Sequence, residues 1–318
     1  MKLIVQVPCL NEEASLPETL RAIPRSIPGI DRVEVLVVDD GSTDRTIEVA
    51  RAHGADHVVR FTRRKGLAAA FMAGLDASLR LGADVIVNTD ADNQYPGHEI
   101  PRLIAPILAG EADMVVGDRG VAEVQHFSPT KRLLQRLGSW VVRKVSGTRV
   151  ADATSGFRAF TRDAALRINI VSEFTYTLES IIQAGKKKLA IAHLHIETRQ
   201  TRPSRLFGST WEYLKRSGAT IVRIYAMYEP FRVFVVLGSV LLAGGATLGL
   251  RYAWFWWQGD IRGHLQSAIL SVLLLILGFL TMQWGLMADL IASNRKLIED
   301  LLYRVRKQEL EREADRRG

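Results

Sequence analysis

The chain has 318 residues, enough to bury one large core or two small ones, and 47% of them are hydrophobic. Its single cysteine, Cys9, excludes an intrachain disulfide and a cysteine-based zinc site. A formal net charge of +8 suits nucleic acid, anionic lipid or phosphorylated substrates alike, so the placement of the cations has to decide among them.

The amino terminus, MKLIVQVPCLNEE, has too short an apolar stretch for a signal peptide and runs into a buried strand at residues 3–7, ended by Pro8. Cys9 is a small apolar filler after that strand. A helix follows with Ser15 as its cap and Pro17 in its first turn. The second strand, VEVLVV at 33–38, leads into DDGSTD, where Asp40-Gly41 signals a turn and Thr43 or Asp44 caps a helix to about residue 52. A short strand at 57–60, the basic loop Arg63-Arg64-Lys65-Gly66 and the helix LAAAFMAGLDASLRLG precede a further apolar strand at 85–87. That strand ends in Asp90, Asp92 and Gln94. With a side-chain period of two, these three can point the same way, and hard divalent cations prefer such oxygen donors. A helix at 97–108 and a strand at 112–117 complete another βαβ unit. The alternation predicts a mostly parallel α/β sheet with helices on both faces and ligands at the carboxyl ends of its strands.

Beyond it, residues 128–146 predict a basic helix, ADATSGFRAF at 151–160 is irregular, and a helix at 173–185 precedes the strand LAIAHLHI. His193 and His195 alternate on that strand without a third ligand, a pattern of packing rather than metal binding. Residues 202–229 mix aromatic and apolar residues with Arg205, Lys215, Arg216 and Arg223, as in a helix lying in a membrane interface. The runs 231–250 and 265–291 are long enough to span a hydrocarbon core of about 30 Å, and YAWFWW between them forms an aromatic belt. Arg251, Asp260 and Arg262 bring the only charge to the connection. Cations before and after the hairpin place both flanks, both termini and the catalytic half in the cytoplasm. Gly245 and Gly249 form a GxxxG helix-contact signal. The tail, 294–318, is a charged helix with Leu297, Leu301 and Val305 on one face, short for a coiled coil, and it leaves self-association into a homo-oligomer open.

Five motifs in order, VPCLNEE, VLVVDDGSTD, NTDADNQYPG, VVGDRG and DATSGFRAF, ahead of a membrane hairpin, resemble the family 2 glycosyltransferases of the dolichol-phosphate mannosyltransferase type. The resemblance covers about residues 1–230. It implies a GT-A fold and inverting transfer of a sugar from a nucleotide-sugar donor to a polyprenyl (dolichyl or undecaprenyl) phosphate acceptor. Together with the hydropathy and charge pattern, it divides the chain into a GT-A domain (1–200), interfacial amphipathic helices (201–230), two transmembrane helices (231–291) and a cytoplasmic tail (292–318).

By the same resemblance, Asp90 contacts the ribose and metal region while Asp92 and Gln94 ligate Mg²⁺ or Mn²⁺. Pro8, Asn11, Glu12, Asp39 and Ser42 match the nucleotide pocket, with Asp39 accepting from the base. Arg119 and Arg132 hold the lipid phosphate, Asp152 orients the acceptor or lends weak base assistance, and Arg202 and Arg205 close over the diphosphate or grip lipid headgroups. Asn93 stands where many relatives carry Leu or Met, and NTDADNQYPG leans toward UDP-sugars, including N-acetylhexosamines, over GDP-mannose. A processive polysaccharide synthase would carry Q-x-x-R-W, which is absent from the sequence. A nucleic-acid binder would interleave aromatics with cations on a soluble surface, whereas these aromatics sit at the bilayer. The intact Asp90, Asp92 and Gln94 argue against a non-catalytic nucleotide-binding scaffold.

Overall fold

The structure is a computed structural model that describes residues 1–120, 140, 142–144, 146–148, 152–171, 176–199, 223, 226–259 and 265–316. Arg132, Arg202 and Arg205 fall outside the described residues, as do most of the expected basic helix at 128–146 and most of the interfacial stretch at 202–229.

Continuous apolar runs buried on both faces form β1 (Lys2–Cys9), β2 (Arg32–Asp39) and β4 (Val85–Asn88). With β3 (His57–Arg60) and β5 (Met114–Asp118), and with α1 (Leu16–Ala22), α2 (Thr46–Ala52), α3 (Leu67–Arg80) and α4 (Ile100–Leu108) between them, they build the α/β unit. The described sheet has seven strands in the order β3-β2-β1-β4-β6-β5-β7, with β7 at Ile191–His195. β1 pairs in parallel with both β2 and β4, so the crossover reverses beside β1 and opens the carboxyl edge there. Leu16, Leu20, Ile100, Leu103 and Ile104 cover one face of the sheet, over Val5, Val35 and Val87. Phe71 and Leu75 of α3 are buried on the other.

Two expectations change here. The stretch 151–160 is irregular only in its first half: Arg158–Thr161 is β6, antiparallel to both β4 and β5 in the middle of the sheet. Both its faces are buried, including Arg158, so it shows no polar–apolar alternation to betray a strand. The capping also differs. Ser15 occupies the N-cap of α1, but its hydroxyl donates to Glu12 Oε2 (2.5 Å) rather than capping the helix.

α5 (Arg162–Arg167) follows β6 directly, and α6 (Thr177–Lys186) precedes β7. His193 and His195 are exposed on this edge strand, not packed. A second compact unit, Ala219–Glu299, contains α7 (Pro230–Trp257) and most of α8 (Leu265–Asp315). Only 11% of the most apolar stretch of each helix is buried, unlike the mostly buried core helix of a soluble protein. Both are long and apolar enough to cross a membrane. They approach closely at glycines: a Cβ on Gly245 would lie 3.0 Å from the Ser271 carbonyl, and Ser271 Oγ donates to the Gly245 carbonyl at 2.6 Å. Gly249 also faces Ser271, so the GxxxG pair is a contact surface. The last turns of α8, from Asp300, belong to the α/β unit. Leu297, Leu301 and Val305 remain exposed, and the tail instead turns Tyr303 and Leu310 toward the α/β unit.

Candidate active site

Three loops meet at the carboxyl edge of β1, β2 and β3, and side chains of DDGSTD and NEE hold them together. Asn11 takes a left-handed backbone (φ 54°), which asparagine tolerates better than most residues. Its N–H donates to Ser42 Oγ (2.9 Å) and its Oδ1 accepts from the Thr43 N–H (2.9 Å). Glu12 N–H donates to Thr46 Oγ1 at 2.9 Å. Asp44 Oδ1 accepts from the Thr46 N–H (3.0 Å), but the N-cap of α2 is Arg45, so neither Thr43 nor Asp44 occupies the expected cap position. Asp40 accepts from the backbone N–H groups of Lys65 (2.6 Å) and Gly66 (2.9 Å), tying in the basic loop. A Cβ on Gly41 would sit 2.8 Å from the backbone of Arg63 and Arg64, and its φ is 79°, so this turn requires glycine. Asp39 is fully buried: its carboxylate accepts from the Ser42 N–H (3.1 Å), with Arg60 Nε 3.6 Å away. Pro8 is buried beside it on β1. The residues matched to a nucleotide pocket thus form one connected wall.

The acidic segment has a different geometry from the one expected. β4 ends at Asn88, and residues 89–94 leave the strand, with a turn at 91–92, instead of continuing it. Asn93 has φ 57°, and Asp92 Oδ1 accepts from the Gln94 N–H (3.1 Å), closing an Asx turn. Asp90 and Asp92 are brought together by this turn, not by strand alternation. Burial, and then the charge of Asp92, push the Asp90 carboxyl up to about 6, against the opposing pull of Arg119 and Arg158. Asp90, whose ionisation the Asp92 charge disfavours, Asp92 itself and the half-buried amide of Gln94 form an all-oxygen donor set. Such a set fits a hard divalent cation, whose charge would relieve the repulsion.

Around this turn stand residues the sequence did not single out. Gly156 leaves room for Asp90: a Cβ there would lie 2.8 Å from Asp90 Oδ1 and 2.9 Å from the Tyr176 hydroxyl. Tyr95 Oη accepts from the Gly156 N–H (3.2 Å) and its ring stacks on Phe157, centroids 5.1 Å apart. Asn88 donates to the Gly156 carbonyl (2.8 Å) and to Tyr176 Oη (2.9 Å), and accepts from Gln6 (2.8 Å). Arg158 is fully buried, with no carboxylate in hydrogen-bond contact among the described residues. Its Nε donates to the Ser155 carbonyl (2.8 Å), Nη2 to that of Ala153 (2.9 Å), and Nη1 to that of Thr177 (2.7 Å) and to Ser180 Oγ. This cation therefore pins the 153–155 turn over the acidic segment. Its one sequence signal is the SGFR tetrapeptide itself.

Arg119 follows β5 at the same edge. Its guanidinium fork is already engaged: Nε donates to Asp152 Oδ2 (2.7 Å), and Nη2 to Asp152 Oδ1 (3.1 Å) and Thr154 Oγ1 (2.7 Å). Nη1 has no protein partner among the described residues. Against the penalty of burial, Arg119 and Thr154 hold the Asp152 carboxyl below the usual carboxylate range. Asp152 is thus an ionised anchor for Arg119 and a poor proton acceptor. A further cluster, His98, Glu99 and Glu197, brings its ligand atoms within 4.8 Å, but Glu99 is already held by Arg102 through two bonds of 2.8 Å.

Residues 4–168, half of the chain, match the family described as glycosyl transferase family 2. The chain belongs to that family. This family 2 glycosyltransferase is 33% identical over 176 residues to the undecaprenyl-phosphate mannosyltransferase of Micrococcus luteus, a match covering 54% of this chain and 70% of that one. It is 28% identical over 260 residues to the undecaprenyl-phosphate 4-deoxy-4-formamido-L-arabinose transferase of Salmonella choleraesuis, covering 78% and 75%. Among solved structures, the glucosyl-3-phosphoglycerate synthase of Mycobacterium tuberculosis, crystallised with Mn²⁺, UDP and glucosyl-3-phosphoglycerate, superposes with a TM-score of 0.56 at 24% identity, covering 71% of this chain and 78% of that one. That likeness establishes the GT-A fold of the glycosyltransferase unit.

Proposed function

We propose that this glycosyltransferase moves one sugar from a nucleotide-sugar to the phosphate of a polyprenyl phosphate, with inversion at the anomeric carbon and with a divalent cation. The observation that carries this is the pairing of opposite poles at one sheet edge. The acidic turn Asp90–Asp92 stands beside the Arg119–Asp152 pair, in a chain that continues into two membrane-length helices. The names of the Micrococcus and Salmonella relatives support the acceptor class.

In this reading the connected wall of Asn11, Asp39 and Ser42 binds the nucleoside, and Asp90, Asp92 and Gln94 hold the cation. When bound, that cation supplies positive charge against the leaving diphosphate. Arg119 turns Nη1, which has no protein partner among the described residues, to the acceptor phosphate while Asp152 fixes the plane of the guanidinium. A phosphate monoester is already an anion near neutral pH, so a phosphate oxygen attacks the anomeric carbon as its bond to the donor's diphosphate breaks. No strong base is needed, which agrees with an Asp152 held ionised. The chain's contribution is orientation and electrostatics.

The donor is a UDP-sugar or GDP-mannose: the relatives' names include mannose and a modified arabinose, and solved neighbours carry UDP-glucose. Both termini face the cytoplasm, so a reporter after Gly318 and one at Gly259 should report opposite sides of the membrane. The deciding experiment incubates the purified protein with a panel of nucleotide-sugars, a short polyprenyl phosphate and Mn²⁺ or Mg²⁺, read by mass spectrometry. A glycosylated prenyl phosphate for one donor is expected. Transfer to a non-lipid acceptor only, or polymer formation, would overturn the reading.

A further inference from the structure

Helix α8 is shared between the two compact units, with residues up to Glu299 in one and residues from Asp300 in the other. It runs 51 residues without a proline, so nothing in its sequence supplies the commonest cause of a sharp kink. Its last turns are attached to the catalytic unit by particular groups. Tyr303 Oη donates to Asp163 Oδ1 at 2.7 Å. Arg167, whose Nε donates to Asp163 Oδ2 at 2.6 Å, lays its guanidinium over the Tyr303 ring, 4.5 Å from the centroid. Arg306 donates to the Ile168 carbonyl, Glu313 pairs with Arg80 at the end of α3, and Leu310 is buried beneath.

The landing place is close in the chain to the active site. α5, which carries Asp163 and Arg167, starts at the residue after β6 and is capped by the Thr161 hydroxyl, which accepts from the Ala164 N–H at 3.1 Å. Arg162 ties the same corner to the carbonyls of Leu79 (3.3 Å) and Ala83 (3.1 Å), just ahead of β4. β6 in turn pairs with β4 from Val85↔Thr161 to Asn88↔Arg158, two residues short of Asp90, and its Arg158 pins the 153–155 turn. The tail therefore grips α5 and the end of α3, the elements next in sequence to the far ends of the two strands that lead to the acidic turn and from the SGFR turn.

We propose that Tyr303 is a positioning residue: its docking on Asp163 and Arg167 tethers the catalytic unit to the end of a membrane helix, and transfer to an acceptor embedded in a bilayer depends on that tether. The inference rests on the polyprenyl-phosphate reading. A tethered site meets a membrane-held acceptor at a high effective concentration, and that advantage vanishes for an acceptor free in water.

The test uses the full chain reconstituted in phosphatidylcholine–phosphatidylglycerol vesicles, as wild type, Tyr303→Phe and Tyr303→Ala. Phe keeps the ring under Arg167 and loses the bond to Asp163; Ala loses both. For a long-chain polyprenyl phosphate in the vesicle, the apparent KM should rise about tenfold in Tyr303→Ala and about twofold in Tyr303→Phe. For a short, water-soluble prenyl phosphate, kcat and the KM of the donor should stay within about twofold of wild type. Equal losses on both acceptors, or none on the embedded one, would overturn the inference. Amide hydrogen exchange probes the tether without any transfer reaction. In Tyr303→Ala, residues 162–168 and 300–315 should exchange faster while β1 and β2 keep their protection; unchanged exchange in those segments would overturn it. Failure of the wild type on every acceptor would count against the acceptor reading and leave this exchange result to decide the tether.

Discussion

Replacing Asp152 with Asn changes one atom and one charge, and the surrounding hydrogen bonds set what should follow. The carboxylate accepts four of them, two from Arg119 at 2.7 and 3.1 Å and two from Thr154 at 3.1 and 2.8 Å. Asn keeps one acceptor oxygen and turns the other into an N–H that faces a donor. Only 3% of the Asp152 side chain is accessible, so water cannot replace the lost bond. A hydrogen bond to a charged group contributes about 1.5–3 kcal/mol, and roughly one is lost outright, giving an expected cost of about 2–3 kcal/mol. Expressed in the placement of Arg119, that is a fall of roughly 30- to 150-fold in kcat/KM for the acceptor. Initial rates against acceptor at saturating donor measure it, and calorimetric titration with donor alone should show unchanged affinity. The double variant with Arg119→Ala should be little worse than Arg119→Ala, because both remove the same coupled unit. Additive losses in the double variant, or a collapse of donor affinity, would refute the pairing of roles.

Chelation by EDTA should abolish transfer and Mg²⁺ or Mn²⁺ restore it, and Asp92→Asn should lose activity by orders of magnitude while remaining folded; full turnover in excess chelator would remove the cation from the reaction. Gly97→Ala should lower the thermal midpoint and the yield of folded protein, since its Cβ would lie 1.9 Å from the Ala22 carbonyl oxygen and one of the two backbones must move, at a cost of about 1–3 kcal/mol or more. The carboxyl of Asp152 is depressed in the folded state by Arg119, so its stabilisation is present above the unfolded value of about 4 and is lost as pH falls through the folded one. The gap in thermal midpoint between wild type and Asp152→Asn should therefore narrow below about pH 4, and a gap that widens there would contradict the sign.

Much of the fold is legible in the sequence because strands buried on both faces leave continuous apolar runs, as in Leu3–Val7 before Pro8 and in VEVLVV. β6 is not, because a buried arginine stands in it and its neighbours in the sheet lie about forty and seventy residues away in sequence. The acidic segment stands out by residue type, but period-two reasoning assigns it strand geometry. The turn that forms depends on Asn93 adopting a left-handed backbone and on Asp92 closing back on Gln94, which are local hydrogen-bond choices that hydropathy does not record. In sequence Arg119 looks like an open fork. Its partner Asp152 lies 33 residues on, and only the fold brings the two together. The apolar stripe of the tail is its most visible feature, yet the residues that dock it are a tyrosine, arginines and a single leucine.

The place of β6 has a consequence for how the chain comes off the ribosome. β1, β2, β3 and β4 are all synthesised by Asn88, pair among the described strands only with one another and with β6, and can assemble as a four-stranded parallel half-sheet early. β4 then waits about seventy residues for the strand that covers its open side, while β5, made in between, has no route onto the sheet except through that same late strand. An apolar edge, VIVN, is left unpaired for the several seconds that translation of those residues takes, a window in which edge-to-edge association competes with folding. Slow translation or truncation between residues 118 and 158 should therefore aggregate the nascent chain, whereas release after β6 should not.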